Sequence, residues 1–176
     1  MARCKICRDK FEPKYFLQKA CFNPKCLAEW AKKDRETKAD KVHAVKKKEL
    51  KDNDKPLREK AAQAAFNAFV RFRDNSSSCI SCGRHHTGQY HAGHYRSRGA
   101  HPELRFEELN CHKQCAPCNN YLSGNISNYR PALIEKIGQD KVDWIEGPHE
   151  PKKYTCAELK EIELLYKSKL KELKTK

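Results

Sequence analysis

The sequence predicts an α+β protein, mostly helical, in which small metal-pinned modules stand in for a large apolar core. Three observations carry that reading. Eight of the ten cysteines fall into two sets of paired knuckles. Between and after them run long charged stretches with helical spacing. Apolar content is only 38%, and mean hydropathy is −0.96. A chain of 176 residues this polar must leave much of its length as solvated helix, or be stapled by something other than packing.

The first knuckle set, residues 1–27, is Cys4-x2-Cys7 followed by Cys21-x4-Cys26. The N-terminus, MARCKICRDKF, carries no apolar signal core, and no apolar run approaches membrane-spanning length. A reducing cytoplasm is therefore expected. There, paired cysteines read as thiolate metal ligands rather than disulfides. Residues 28–56 have too few apolar positions for a core-facing stripe and read as a charged helical linker.

A helix is predicted over 57–73, because Ala62, Ala65, Phe66, Phe69 and Val70 recur at three and four spacing. It opens a core segment, residues 57–130. The second knuckle set is Cys79-x2-Cys82 and Cys115-x2-Cys118. Between its halves, residues 84–109 read as a hairpin or extended loop, and a short helix is expected from Cys115 through Tyr121. Residues 131–176 read as a helical region. Pro131 is expected to open one helix there, stopped at Gly138. Thr155 and Glu158 form a capping box for the last helix, with Leu159, Ile162, Leu165 and Tyr166 on its apolar face.

Zinc takes four ligands tetrahedrally, and a C-x2-C turn delivers two sulfurs to one ion. Each knuckle set therefore predicts a closed structural Zn²⁺ site with no open position for water. Cys111 and Cys156 are left over, and Cys111 reads as a small buried hydrophobe. The chemistry must then lie in the loop that the second site holds. That loop carries His91, His94, Arg96, Arg98, Arg105, Asn110 and His112, and Asn119 follows the last knuckle. A neutral histidine can take a proton from water near pH 7. A cation can neutralise charge building on a phosphate, and an amide oxygen suits Mg²⁺. The spacing aims Asn119 toward the loop bearing His94. His85 and His86 read as solvent-facing turn residues.

Net charge is +14 and the pI is about 9.4. Residues 1–60 hold 19 basic against 10 acidic side chains. That balance suggests a polyanionic partner, most simply nucleic acid. Arg96, Arg98 and Arg105 could grip phosphates, as could Lys46, Lys47 and Lys48 of the linker. Arg105 could instead pair with Glu107 or Glu108. A sequence-specific regulator is disfavoured, because the charge lies on a linker rather than on an amphipathic recognition helix.

The strings HAGHYR, ELRFEELN, HKQCAPCN and SGN together resemble the HNH (ββα-metal) endonucleases. More narrowly, they resemble the NinG, or Rap, recombination endonucleases of lambdoid phages, over about residues 1–170. The resemblance implies a treble-clef-like ββα-metal core behind an N-terminal Cys4 finger. It also implies structure-selective cutting of branched DNA, such as D-loops and Holliday junctions, with Mg²⁺ or Mn²⁺ as the catalytic cation. His94 matches the general base, Asn119 the helix-borne cation ligand, and Asn110 a structural middle Asn. His91 stands where the family pattern leads one to expect Asp. As a softer cation ligand it raises Mn²⁺, Co²⁺ or Ni²⁺ as alternatives to Mg²⁺, and His112 is a further candidate ligand. Junctions have two-fold symmetry, so paired cuts suggest a homodimer, with phage or host recombination proteins as further partners. The alternative is a non-catalytic zinc-finger recombination accessory protein that binds DNA.

Overall fold

The computed structural model describes residues 1–175. The chain forms two compact units, Met1–Asp52 and Asn53–Lys176. The four segments read from the sequence thus merge in pairs, finger with linker and core with C-terminal helices.

In the first unit, β1 (Ala2–Arg3) pairs antiparallel with β2 (Lys10–Phe11), in the register Ala2↔Phe11. The Cys4–Cys7 knuckle turns between them. The unit's core is small: Cys4, Ala20 and Cys26 are buried, with Phe11 and Trp30 partly covered beside them. Helix α1 (Pro24–Asn53) opens on a proline, whose missing N–H costs nothing at a helix start. Of its thirty residues only Cys26 is buried. The expected boundary at residue 27 therefore falls inside one continuous helix. Lys33–Glu29 and Lys38–Asp34 pairs at i,i+4, 3.0 and 2.6 Å apart, add the modest support that exposed ion pairs give.

In the second unit, α2 (Lys55–Arg73) starts where Asp54 accepts a hydrogen bond from the Leu57 amide at 3.1 Å, with Pro56 in the first turn. The predicted apolar stripe packs against α5 (Cys156–Lys174), which has the expected Thr155/Glu158 capping box. Phe66 and Tyr166 meet edge to face at 4.8 Å. Each fully buried aromatic or aliphatic side chain here is worth roughly 1.5–3 kcal/mol. Leu165, expected on this face, is instead 49% exposed. It sits about 100° round the helix from Tyr166, which takes the core position.

The second sheet pairs β3 (Tyr90–His94) with β4 (Cys111–Cys115), antiparallel, from Tyr90↔Cys115 to His94↔Cys111. Gly93 is required on β3. A Cβ there would lie 2.2 Å from Gln114 Oε1, whose amide nitrogen is pinned to Ser81 Oγ and the Gly124 carbonyl. The short helix expected from Cys115 through Tyr121 forms, but starts just after Cys115, which ends β4 and is laddered to β3. A π-helical turn, Pro117–Tyr121, follows.

Helix α3 (Ile126–Ile137) begins five residues before Pro131, which lies inside it. Asn125, in the left-handed region at φ 46°, accepts from the Tyr129 amide at 2.9 Å and starts the helix early. Pro131 is tolerated at the loss of one helical bond. Helix α4 (Gln139–Glu146) follows Gly138. Tyr129, Leu133, Val142 and Ile145 close a second core with Tyr95 and Leu104. Tyr129 also donates to the Gly93 carbonyl at 3.0 Å and so ties α3 to β3.

Candidate functional site

The two knuckle sets converge as four-sulfur clusters, Cys4/Cys7/Cys21/Cys26 and Cys79/Cys82/Cys115/Cys118. In each, the sulfurs lie within 4.8 Å of one another. Cys7–Cys21 and Cys82–Cys115 are 3.8 and 3.9 Å apart. A tetrahedral ion with bonds of about 2.3 Å has ligand edges of about 3.8 Å, so both clusters could hold zinc. Both knuckles use one turn. The amides of Arg8 and Gly83 donate to the carbonyls of Cys4 and Cys79 at 3.0 and 2.9 Å, and both residues have positive φ.

Burial opposes ionisation of Cys4, but amide donors outweigh it, chiefly those of Cys21 and Ile6 at 3.4 Å. Its thiol is lowered to about 6. Burial pushes Cys115 up to about 12, with the neighbouring Cys118 and Cys79 sulfurs adding to the shift. Held as thiolates, four sulfurs this close would need a cation between them. Cys111 belongs to neither cluster and is fully buried. His86, expected to face solvent, is half-buried with Nε2 3.2 Å from Cys82 Sγ.

The second cluster fixes the turn that carries Asn119, since Cys115 ends β4 and Cys118 lies within the π-helical turn. The result is an open pocket of about 310 Å³, lined by His91, His94, Arg98 and Asn119 together with Asn67 and Arg71 of α2. At about 30 Å³ per water, it has room for a hydrated cation and a phosphate group.

His94 is oriented by its Nε2, which donates to the Arg105 carbonyl at 2.8 Å. Its Nδ1 lies 3.6 Å from the Cys111 sulfur. Burial lowers the imidazole to about 4, reinforced by the charges of Arg98 and Arg105 against the Arg105 carbonyl bond, so it is neutral at physiological pH. His91 Nε2 is buried without a hydrogen-bond partner. The Asn119 amide donates to Asn120 Oδ1 at 2.8 Å, which leaves its own oxygen free. A lone imidazole nitrogen and a free amide oxygen in one pocket fit a divalent cation.

His112 is elsewhere. It lies on β4 opposite Gly93 and is 3% exposed. Its Nε2 donates to the Leu109 carbonyl at 3.1 Å, and its Nδ1 accepts from Arg73 at 3.1 Å. It is therefore no cation ligand for this pocket. It belongs to a hub around Asp74, which caps α2 and also receives Arg73, the Lys113 amide and Lys136. Burial opposes ionisation of Asp74, but the bonds and charge of Arg73 and the charge of Lys136 outweigh it and hold the carboxyl well below its usual range. Burial lowers His112 despite Asp74, consistent with a neutral ring accepting from Arg73.

The loop from β3 to β4 is closed by Asn110. Its Oδ1 accepts from the Arg96 amide at 2.7 Å, and its Nδ2 donates to the carbonyls of Arg96 and Leu104. Asn110 is fully buried and outside the pocket, so its part is to shape the loop. Two expected phosphate contacts are otherwise engaged. Arg96 reaches the Glu146 carbonyl at 3.3 Å. Arg105 is held by Gln63 and Glu59, at 2.9 and 3.1 Å, rather than by Glu107 or Glu108. Arg98 is exposed in the pocket with no hydrogen bond or ion pair among the described residues. Lys46, Lys47 and Lys48 are exposed on α1, and at about 100° per residue they cover much of its circumference.

Sequence reasoning missed Asn67 and Arg71. Two polar residues one turn apart beside the apolar stripe mark a helix face, but nothing local ties that face to the pocket.

Fold and site together define a basic α+β protein built around two four-cysteine clusters. The comparisons with known proteins place it further. The model of the family described as NinG, "Bacteriophage Lambda NinG protein", matches residues 1–176, and the chain belongs to that family. It is 43% identical to protein ninG of Escherichia phage lambda, over 98% of this chain and 93% of the relative. The same coverage holds for the ninG proteins of Salmonella phage P22, at 43%, and Escherichia phage 933W, at 42%. No solved structure matches the chain. No helix among the described residues is long and apolar enough to cross a membrane.

Proposed function

We propose that this protein is a metal-dependent endonuclease of the HNH (ββα-metal) type, hydrolysing phosphodiester bonds in branched DNA such as D-loops and Holliday junctions. The observation that carries the reading is one pocket that joins an oriented neutral imidazole, His94, to the partnerless His91 nitrogen and the Asn119 amide. The strand pair and the turn after it follow the ββα order, pinned by the second cysteine cluster. His91 Nε2 and Asn119 Oδ1 would hold the catalytic cation, Mg²⁺ or Mn²⁺, which supplies charge neutralisation at the phosphate and at the leaving oxygen. His94 takes the proton of the attacking water at Nδ1, its Nε2 being committed to Arg105. Arg98 grips a neighbouring phosphate. Both structural sites hold Zn²⁺. The two-fold symmetry of a junction favours a homodimer, and recombination proteins are the expected partners.

One observation favours a second reading, a DNA-binding accessory protein without catalysis: among the described residues, the pocket lining has no carboxylate. Cation sites that take Mg²⁺ usually use one or two. A four-way junction incubated with Mg²⁺, Mn²⁺, Co²⁺ or Ni²⁺ separates the two. Cutting by the wild type that disappears in His94→Ala supports the enzyme. Tight binding without cutting under every cation supports the accessory protein.

A further inference from the structure

We propose that the turn Tyr15–Gln18 in the N-terminal unit is a stacking site for unpaired nucleotide bases. Phe16 and Tyr15 would receive the bases, and the surrounding lysines their phosphates. The site lies in the first unit, outside the pocket, and depends on a nucleic-acid partner but not on hydrolysis.

The turn is built to face outward. The Gln18 amide donates to the Tyr15 carbonyl at 3.3 Å, which makes Phe16 and Leu17 its central residues. Phe16 is 92% exposed, Leu17 64% and Tyr15 62%. Leu17 has φ 67°, a left-handed conformation that such turns normally give to glycine or asparagine. The loop is anchored by a polar residue instead of by its apolar ones. Gln18 is buried, accepts from the Lys14 amide and donates to the Ala20 carbonyl, both at 2.9 Å. The chain thus carries backbone strain at Leu17 while turning its largest apolar side chains into solvent. Strain of this kind gathers at ligand-contacting sites.

Charge selects the occupant. Residues 1–25 contain seven Lys and Arg against Asp9 and Glu12. All seven are exposed, and none forms an ion pair among the described residues. Lys14 and Lys19 flank the turn in sequence, and the Lys14 ammonium lies 5.1 Å from the Phe22 ring. Exposed rings among uncompensated cations match single-stranded nucleic acid, where bases stack on aromatics and phosphates meet lysines. A protein partner would have to desolvate those cations. A membrane surface would call for a larger apolar face than two rings and a leucine.

The test uses the full chain, zinc-loaded, carrying His94→Ala so that nothing is cut. Binding is measured by anisotropy to labelled oligothymidylate and to a fully paired duplex, with no added divalent ion. Phe16→Ala should weaken oligothymidylate binding about tenfold and leave duplex binding and the salt slope unchanged, since no charge is altered. Phe16→Leu, equally apolar but without a ring, should lose as much, and Phe16→Trp should restore binding. Unchanged oligothymidylate affinity in Phe16→Ala overturns the proposal. So does full affinity in Phe16→Leu. Loss of self-association, or of binding to anionic phospholipid vesicles, with oligothymidylate binding intact overturns it as well, in favour of that occupant. Because every variant compared carries His94→Ala, no outcome here depends on cutting, and failure of the pocket's assignment is read separately in the junction assay.

Discussion

His94 Nε2 and the Arg105 carbonyl oxygen lie 2.8 Å apart across the loop, a contact that fixes which ring nitrogen faces the chemistry. Because the carbonyl can only accept, the ring is the Nε2–H tautomer and Nδ1 is the basic nitrogen.

The first prediction follows from that ring's acidity. Burial lowers His94 from 6.5 to about 4 in the folded chain. Its neutral form is thus available well below the pH at which an exposed histidine would be charged. The acid limb of the cleavage pH profile should fall below pH 6. The sign for stability is the same. The lowered folded value means that stability is full above pH 6.5 and is lost as pH falls from 6.5 toward 4, by up to about 3 kcal/mol. His94→Gln should flatten this part of the pH–stability curve, and urea titrations at pH 7 and pH 4.5 measure it.

Metal content gives the second. The protein as isolated should carry two Zn²⁺ per chain by elemental analysis, and Cys111→Ala should leave that count unchanged, since Cys111 lies outside both clusters. A strong chelator should unfold the first unit, whose core is Cys4, Ala20 and Cys26. The α2–α5 packing of the second unit should survive it. Helical circular dichroism that collapses in full on chelation would contradict this division.

Asn110 supplies the third. Removing its side chain leaves the Arg96 amide and the Arg96 and Leu104 carbonyls without their partner in a buried loop. Asn110→Ala should cost about 2–4 kcal/mol in denaturant unfolding and abolish cutting, with zinc content intact. Asn110→Asp should not rescue it, because two of the three bonds need a donor.

Asp74 is the fourth. Arg73, His112, Lys136 and the Lys113 amide all converge on its carboxylate, which is 4% exposed. Asp74→Ala leaves the half-buried Arg73 guanidinium and the buried Lys113 amide without their acceptor and should cost about 3–5 kcal/mol. Because folding holds its carboxyl below the usual range, Asp74 adds stability that is present above about pH 4 and lost as pH falls further. His112→Gln, which keeps a polar group in place, should be milder, and thermal melts rank the two.

What was legible in the sequence was whatever depends on local spacing. The knuckle pairs, the α2 stripe and the Thr155/Glu158 cap each involve residues a few positions apart, and each formed as expected. Most of what misled was decided by tertiary partners, though helix α3 began at Ile126 instead of Pro131 because Asn125 caught the Tyr129 amide. Arg105 was taken by Glu59, 46 residues earlier, and His112 by the Asp74 hub. The same long-range closure brought Asn67 and Arg71 to the pocket, which no local pattern assigns to it.

The last prediction contrasts two arginines in one loop. Arg98 has no partner among the described residues and lines the pocket. Arg105 is bound to Glu59 and Gln63, with its charge already answered. Arg98→Ala should therefore reduce DNA affinity about evenly across sequences and lower the slope of log affinity against log salt by about one, with stability unchanged. Arg105→Ala should do the reverse. It should lower stability by about 1 kcal/mol through the lost bonds to α2 and leave the salt slope intact. Binding titrations across a salt series, run beside thermal melts, read both quantities. An Arg105→Ala variant with a reduced slope and unaltered melting would return that side chain to the DNA and remove it from the scaffold.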